Sequence, residues 1–211
     1  MTVITDIHFK IMIKTFLSSV ALLSCMFFSN NVQAQQATNP IIFADVPDMS
    51  MIRVGKNYYM ASTTMHMTPG VPIMKSTDLV NWKLINYAYD TLADLPALNL
   101  EEGKNIYSRG SWASSLRYHK GMYYVTTFAH DIPGETYIFK TKDIEKGNWQ
   151  RVSFKPSLHD NSLFFDDDGK VYLIYDADRL KIVELNELLG NHGRDRRNEK
   201  TKSRNIYCKI Q

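Results

Sequence analysis

The feature of this 211-residue sequence that most constrains its fold is a strand–turn–strand pattern that occurs three times. In the first copy, residues 51–64, Gly55-Lys56-Asn57 separates two runs rich in β-branched and aromatic residues. The pattern returns at residues 115–127 and 162–175. Short polar turns between such runs are typical of β-hairpins. The sequence therefore predicts three hairpins and an all-β fold.

Each of the first two hairpins is followed by another strand-like run that closes with an Asp…Trp turn, at residues 72–82 and 137–149. Units of four short strands with such turns are typical of β-propeller blades. We therefore expect an incomplete propeller of about three blades within residues 35–190. The long first unit predicts an insertion at residues 86–110. A β-sandwich whose hairpins are similar by chance is the alternative.

The first 34 residues have the pattern of a signal peptide. Lys10 and Lys14 precede an apolar run at residues 16–28, and Val32-Gln33-Ala34 follows with small residues at a cleavage position. The run is too short to span a bilayer comfortably, so no transmembrane segment is predicted. We expect cleavage after Ala34 and export to the periplasm or the extracellular space.

Three alternatives apply to this N-terminal segment. Translation could begin at Met12, because Met12-Ile13-Lys14 also makes a standard signal-peptide opening. Cys25 follows Leu22-Leu23-Ser24, so a lipoprotein anchored through Cys25 is possible, although this sequence fits the lipidation pattern poorly. A buried N-terminal helix is the third alternative.

Charge separates the body of the chain from its C-terminal tail. Residues 35–190 contain 16 Lys and Arg against 19 Asp and Glu, a net charge of −3, whereas residues 191–211 contain seven basic and two acidic residues. A slightly acidic body argues against nucleic acid as a partner. The tail lacks a strand pattern and is predicted to be disordered or to be read out of frame from about residue 190.

No metal or cofactor is predicted. The body contains no cysteine, so it has neither a disulfide nor a thiolate site. Its histidines share no metal-ligand spacing. The acidic run Asp166-Asp167-Asp168 is interpreted as part of a hairpin turn rather than as a calcium site.

Three carboxylates precede strands that would line the channel of a propeller. Asp45 and Asp48 lie before the first strand of the first unit, and Asp160 lies at the matching position of the third unit. Carboxylates from different blades at one mouth of a channel can form an acid–base cluster. The alternative is a role in turns, which for Asp45 and Asp48 is supported by the neighbouring Pro47.

Four motifs follow one another in chain order. They are Asn39-Pro40-Ile41-Ile42 with Asp45, Pro47-Asp48 and Ile52-Arg53-Val54-Gly55, then residues 72–82, 110–118 and 160–164. Together they resemble glycoside hydrolase family 43. The resemblance implies a five-bladed β-propeller. It also implies an inverting glycosidase that acts on carbohydrates such as arabinan, xylan or arabinoxylan.

The resemblance also implies roles for individual residues. Asp48 matches the general base that activates water, with Asp45 as the alternative base, and Asp160 matches the aspartate that orients the acid and tunes its pKa. Trp112, in the Gly-Ser-Trp-Ala-Ser stretch before the second unit, is a candidate platform on which a sugar ring stacks. Phe43 could form a wall of the sugar pocket, and Asp45 is also a candidate substrate-binding residue. Core packing is the alternative for both aromatic residues.

The sequence lacks the family motif that contains the general acid. In the family this glutamate occurs early in the fourth blade, and no phrase after Leu189 matches it. Glu184, Glu187 and Glu199 lack its context. We therefore expect the acid to be absent and hydrolysis to be impaired. The alternatives are a non-catalytic carbohydrate-binding propeller fragment and a product without a stable fold.

Overall fold

A computed structural model describes Met12, residues 14–16, 36–130 and 133–185, and the backbone of residues 206–207. The chain divides into two compact units, Met1–Ala37 and Thr38–Gln211. In the first unit, Met12 and residues 14–16 are helical. The expected cleavage site after Ala34 and the alternative lipidation site at Cys25 lie outside the described residues.

The second unit contains three antiparallel sheets, each of four strands that neighbour one another in chain order. The first sheet consists of β1 (Ser50–Val54), β2 (Asn57–Ala61), β3 (Gly70–Ser76) and β4 (Lys83–Tyr89). The second consists of β5 (Ser115–His119), β6 (Met122–Ala129), β7 (Glu135–Thr141) and β8 (Gln150–Phe154). The third consists of β9 (Ser162–Phe165), β10 (Val171–Tyr175), β11 (Lys181–Glu184) and β12 (Ile206–Tyr207). A short helix, α1 (Pro96–Asn99), lies between β4 and β5 in the chain.

The three predicted hairpins are present, as β1–β2, β5–β6 and β9–β10. Gly55 and Gly121 adopt positive φ angles of 62° and 79° in the first two turns. Glycine adopts this conformation without a steric penalty. In the third turn, the backbone N–H of Asp166 donates to the carbonyl of Lys170. The run Asp166–Asp168 thus forms part of a hairpin turn, as its sequence suggested.

The Asp…Trp turns share one hydrogen-bonding pattern in the first two sheets. Asp78 Oδ1 accepts from the backbone N–H groups of Val80 and Asn81, at 2.9 and 2.8 Å. Asp143 Oδ1 accepts in the same way from Glu145 and Lys146. Hydrogen bonds to the carboxylate, the largest from Asn81 and a smaller one from Val80, hold the pKa of Asp78 well below its ordinary value. The sequence repeat therefore corresponds to a repeated set of contacts.

The first strands of the three sheets lie side by side, in the order β1, β5, β9. The backbone N–H of Leu116 in β5 donates to Ser50 Oγ at the start of β1, at 3.0 Å. Ser115 Oγ lies 3.3 Å from Ser162 Oγ, the first residue of β9. Arg117 donates to Ser162 Oγ and to the carbonyl of Leu163, so its side chain joins β5 to β9. These strands form the inner side of a partial propeller, and the sheets in the described part of the chain do not close a ring.

Adjacent residues of β7 pack in two separate hydrophobic cores. Phe139 packs in the cluster shared with the first sheet, and Ile138 packs in the cluster shared with the third. Both are 1% exposed, because neighbouring side chains of a strand point to opposite faces. Burying one such side chain contributes about 1.5–3 kcal/mol. The second sheet therefore holds the first and third together.

The third sheet is apolar on both faces. Leu163 and Leu173 are 1% and 0% exposed in the core that faces the second sheet. On the opposite face, Phe164 is 47% exposed, and with Tyr172 and Ile182 it lines an open depression of about 260 Å³. Strands that are apolar on both faces are typical of sheets packed on both sides.

The insertion is shorter than the sequence indicated. Residues 86–89 belong to β4, where Ala88 and Tyr89 are 1% and 7% exposed. The correction arises because these residues pair with β3 and are buried there. The remaining insertion is anchored in the first core by side chains that are all at most 4% exposed: Leu92, Leu98 and Ile106.

No helix among the described residues has both the length and the apolar character needed to cross a membrane.

Gly70 in β3 is predicted not to tolerate a side chain. It lies opposite Tyr89 in β4, and an added Cβ would overlap the phenol ring. Tyr89 is buried and donates to Ser111 Oγ at 2.7 Å. We expect Gly70→Ala to lower the free energy of unfolding by about 1–3 kcal/mol, because overpacking displaces this ring. Urea denaturation measures the change.

Tyr89→Phe is the matched control, since it removes only the hydroxyl bond and should cost about 1 kcal/mol. In a Tyr89→Ala background the penalty of Gly70→Ala should disappear. An equal penalty in both backgrounds would show that the Tyr89 ring is not what excludes a side chain at position 70.

Candidate active site

One edge of the second unit collects the expected site residues. Because β1, β5 and β9 lie side by side and contact one another within their first two residues, the segments that precede these strands meet at the same edge. Asp48, Trp112 and Asp160 stand two, three and two positions before these strands. In an antiparallel meander, the β2–β3 and β6–β7 connections also lie at this edge. We call it the site edge.

Asp48 and Asp160 have the same local conformation. Each is in the left-handed region, with φ angles of 49° and 45°. Both side chains are exposed at the site edge. The loop of Asp48 is fixed by its neighbour Pro47, whose carbonyl accepts from Ser62 Oγ at 2.6 Å. The two aspartates are thus structurally equivalent residues of different sheets.

Asp45 and Phe43 lie in the segment that leads to Asp48, and both are exposed. Phe43 is 88% exposed, so its alternative role as a core residue does not apply in this structure. An exposed phenylalanine beside the site edge leaves the role as a pocket wall as the remaining hypothesis.

Trp112 is held firmly but keeps an unused hydrogen-bond donor. Its backbone N–H donates to the carbonyl of Phe128 at 2.9 Å, and its carbonyl accepts from Thr127 Oγ1 at 2.7 Å. The side chain is half-buried. Its buried indole Nε1 has no hydrogen-bond partner among the described residues. Buried donors are normally satisfied, so this unpaired N–H is an exception at the site edge.

A pair of histidines lies next to Trp112 and Asp160, and sequence reasoning missed it. His130 Nε2 is 2.9 Å from His159 Nδ1, and the two rings stack at 5.0 Å. The His130 ring meets the Trp112 indole edge-on at 5.2 Å. His159 Nε2 lies 3.4 Å from Asp160 Oδ2. The pair therefore connects the tryptophan to the aspartate.

The histidine pair had one signal in the sequence. His130 directly follows β6, and His159 directly precedes Asp160, so blade topology places both at the site edge. The metal-ligand spacing of the histidines does not reveal that these two lie close together. Within the described ranges, no group of three or more His, Cys, Asp or Glu side chains is arranged to hold a metal ion.

The shared conformation of the aspartates generates a stability prediction. Asn is tolerated in the left-handed region, whereas a β-branched residue there is strained by about 1–2 kcal/mol. We therefore expect Asp48→Asn and Asp160→Asn to keep the wild-type melting temperature and the corresponding valine variants to lower it. Circular dichroism during heating measures this.

Asp90→Val provides the control, because Asp90 is also exposed but is not among the residues with positive φ. If the valine variants at positions 48 and 160 melt together with this control, the two aspartates do not hold a left-handed backbone conformation in solution.

Comparison with known proteins gives a consistent result. The family model for glycosyl hydrolases family 43 matches residues 37–207. A beta-xylosidase of Formosa agariphila is 35% identical over 161 residues, which cover 74% of this chain and 26% of the relative. A non-reducing end alpha-L-arabinofuranosidase of Bacteroides ovatus is 35% identical over 148 residues, which cover 68% of this chain and 27% of the relative.

Among solved structures, a bifunctional GH43-CE protein of Bacteroides eggerthii is 62% identical, with a TM-score of 0.68. The match covers 73% of this chain and 20% of that chain. The chain spans about a quarter of the length of the curated relatives it matches. The family match covers most of the chain and includes both aspartates and the tryptophan of the site edge. The chain therefore belongs to glycosyl hydrolases family 43.

Proposed function

We propose that this chain is part of an inverting glycosidase that acts on polysaccharides containing xylose or arabinose. In this proposal it contributes the general base that activates water. The relatives named a beta-xylosidase and an alpha-L-arabinofuranosidase support this substrate class. The observation that carries the proposal is the placement of Asp48, Asp160 and Trp112 at one edge, before strands whose first residues contact one another. An inverting reaction requires a general base and a general acid. Asp48 is proposed as the base.

In the proposed reaction, Asp48 accepts a proton from a water molecule that attacks the anomeric carbon. The new carbon–oxygen bond forms on the face opposite to the glycosidic bond that breaks, and the configuration inverts. The departing oxygen takes a proton from a general acid. In an inverting site, base and acid stand about 6.5–9.5 Å apart so that the water fits between them.

Asp160 is proposed to act on the acid rather than on the substrate. A carboxylate close to a second carboxyl group raises the pKa of that group, which keeps it protonated until the leaving group departs. The contact of Asp160 with His159 limits the freedom of its side chain. Trp112 is proposed to support the sugar ring with the part of its half-buried indole that reaches solvent.

A polypeptide of these 211 residues alone is proposed to hydrolyse natural glycans poorly, because no phrase matching the acid follows Leu189. General acid catalysis contributes about 10²–10⁴-fold. Aryl glycosides with good leaving groups need little protonation, so residual activity should appear there first. We expect Asp48→Asn to abolish this residual activity while binding of xylo-oligosaccharide remains. Release of nitrophenol from aryl xylosides and arabinofuranosides measures it.

Asp45→Asn is the matched control for this experiment, since Asp45 is the alternative base three positions earlier. Loss of activity in Asp45→Asn but not in Asp48→Asn would transfer the role of base to Asp45. Turnover of arabinoxylan equal to that of a full-length relative would overturn the catalytic assignment. Oligosaccharide binding without any hydrolysis would favour the alternative, a carbohydrate-binding protein.

We also propose that the chain is exported, because residues 1–34 have the charge, apolar run and small residues of a signal peptide. N-terminal sequencing of the protein secreted by a bacterial host should find Gln35 first. A mature chain that begins with a lipidated Cys25 would support the lipoprotein alternative. An intact Met1 or Met12 on the product would exclude both kinds of processing.

A further inference from the structure

Tyr107 is an exposed aromatic residue with a defined orientation. Its side chain is 74% exposed, and one face of its ring stacks on His66 at 4.3 Å, with the two planes 11° apart. Large aromatic side chains contribute most when they are buried, so an ordered aromatic residue with most of its surface in water suggests a binding role.

The turn that carries Tyr107 is anchored on both sides. Ile106 is 4% exposed and belongs to the first core. The backbone N–H of Ser108 donates to His66 Nδ1 at 3.0 Å. Asn105 Oδ1 accepts from the Tyr107 N–H at 3.3 Å. A side chain held in this way loses little conformational entropy when a ligand binds.

The stacked pair lies at the site edge. His66 is in the β2–β3 connection, and Tyr107 is in the β4–β5 connection, which also contains Trp112. The two connections are joined next to the pair, where the Gly110 N–H donates to the Met65 carbonyl at 2.8 Å. Five positions separate Tyr107 from Trp112, so their Cα atoms are at most about 17 Å apart. One glycan chain of a few sugar units can contact both.

The chemistry of the pair suits a sugar ring. The free face of Tyr107 can stack on the C–H face of a sugar. Because His66 Nδ1 accepts the Ser108 N–H, the neutral imidazole carries its hydrogen on Nε2. In the described part of the chain, Nε2 has no hydrogen-bond partner, so it can donate to a sugar hydroxyl.

We propose that Tyr107 and His66 form a second sugar-binding position, which holds a unit of the glycan chain next to the unit that stacks on Trp112. This inference rests on the proposed function, because it takes its ligand class from it. The position would give the site a preference for oligosaccharides over single sugars, since only a chain of linked units can occupy both aromatic platforms.

The experiment measures binding of xylose and of xylotetraose to the full chain by isothermal titration calorimetry. We expect Tyr107→Ala to weaken xylotetraose binding about tenfold, as loss of an aromatic stacking contact does, and to leave xylose binding unchanged. Tyr107→Phe keeps the ring and should keep the affinity. Tyr118→Ala is the matched control, because Tyr118 is another exposed tyrosine (45%), near the opposite end of β5.

The outcomes separate this inference from the proposed function. Unchanged xylotetraose binding in Tyr107→Ala, together with lost binding in Trp112→Ala, would overturn the second position and leave the proposed function standing. An equal loss for xylose and xylotetraose in Tyr107→Ala would also overturn it. If the wild-type chain bound neither sugar, both proposals would fall. Equal melting temperatures for all variants exclude unfolding as the cause of any loss.

Discussion

The contacts between the starts of β1, β5 and β9 determine where the candidate site residues of this protein lie. The Ser50 hydroxyl accepts from the β5 backbone, and the Ser115 hydroxyl meets that of Ser162. A shift of two residues would move a strand by about 7 Å along its axis while keeping its buried face. That distance equals the whole separation between base and acid in an inverting site, about 6.5–9.5 Å. These serines therefore fix distances on which the proposed catalysis would depend.

The strands β1, β5 and β9 fix the positions of the candidate site residues. The side chains themselves lie in the segments before these strands. Asp48 and Asp160 occupy left-handed conformations that regular strands do not contain. Asparagine and aspartate tolerate this conformation better than most residues do. The same residue type thus satisfies the backbone and offers a carboxylate to solvent. Trp112 differs, because its own backbone bonds to β6 and its ring packs beside Phe128 and His130.

Sequence reasoning was most effective where local chemistry repeats. The hairpin turns and the Asp78 and Asp143 turns depend on neighbouring residues, so each can be read from a few positions. The insertion predicted from residue 86 begins only after Tyr89, because burial of Ala88 and Tyr89 beside β3 has no local signal in the sequence. The His130–His159 contact joins residues 29 positions apart. Such a contact can be predicted only when the arrangement of the sheets is known.

The position of Asp160 explains how an acid could join this site. β9 is the last of the three inner strands, so Asp160 borders the side on which no further described strand lies. On that side the third sheet presents Phe164, Tyr172 and Ile182, an apolar face of the kind that a neighbouring sheet covers. A sheet packed there would start its own first strand beside Asp160.

A carboxyl group at that start would stand farther from Asp48 than from Asp160, because β5 and β9 separate it from β1. Proximity to Asp160 would raise its pKa and keep it protonated, and distance from Asp48 would leave space for water. The order of the inner strands thus accounts for the different roles proposed for two aspartates in equivalent conformations.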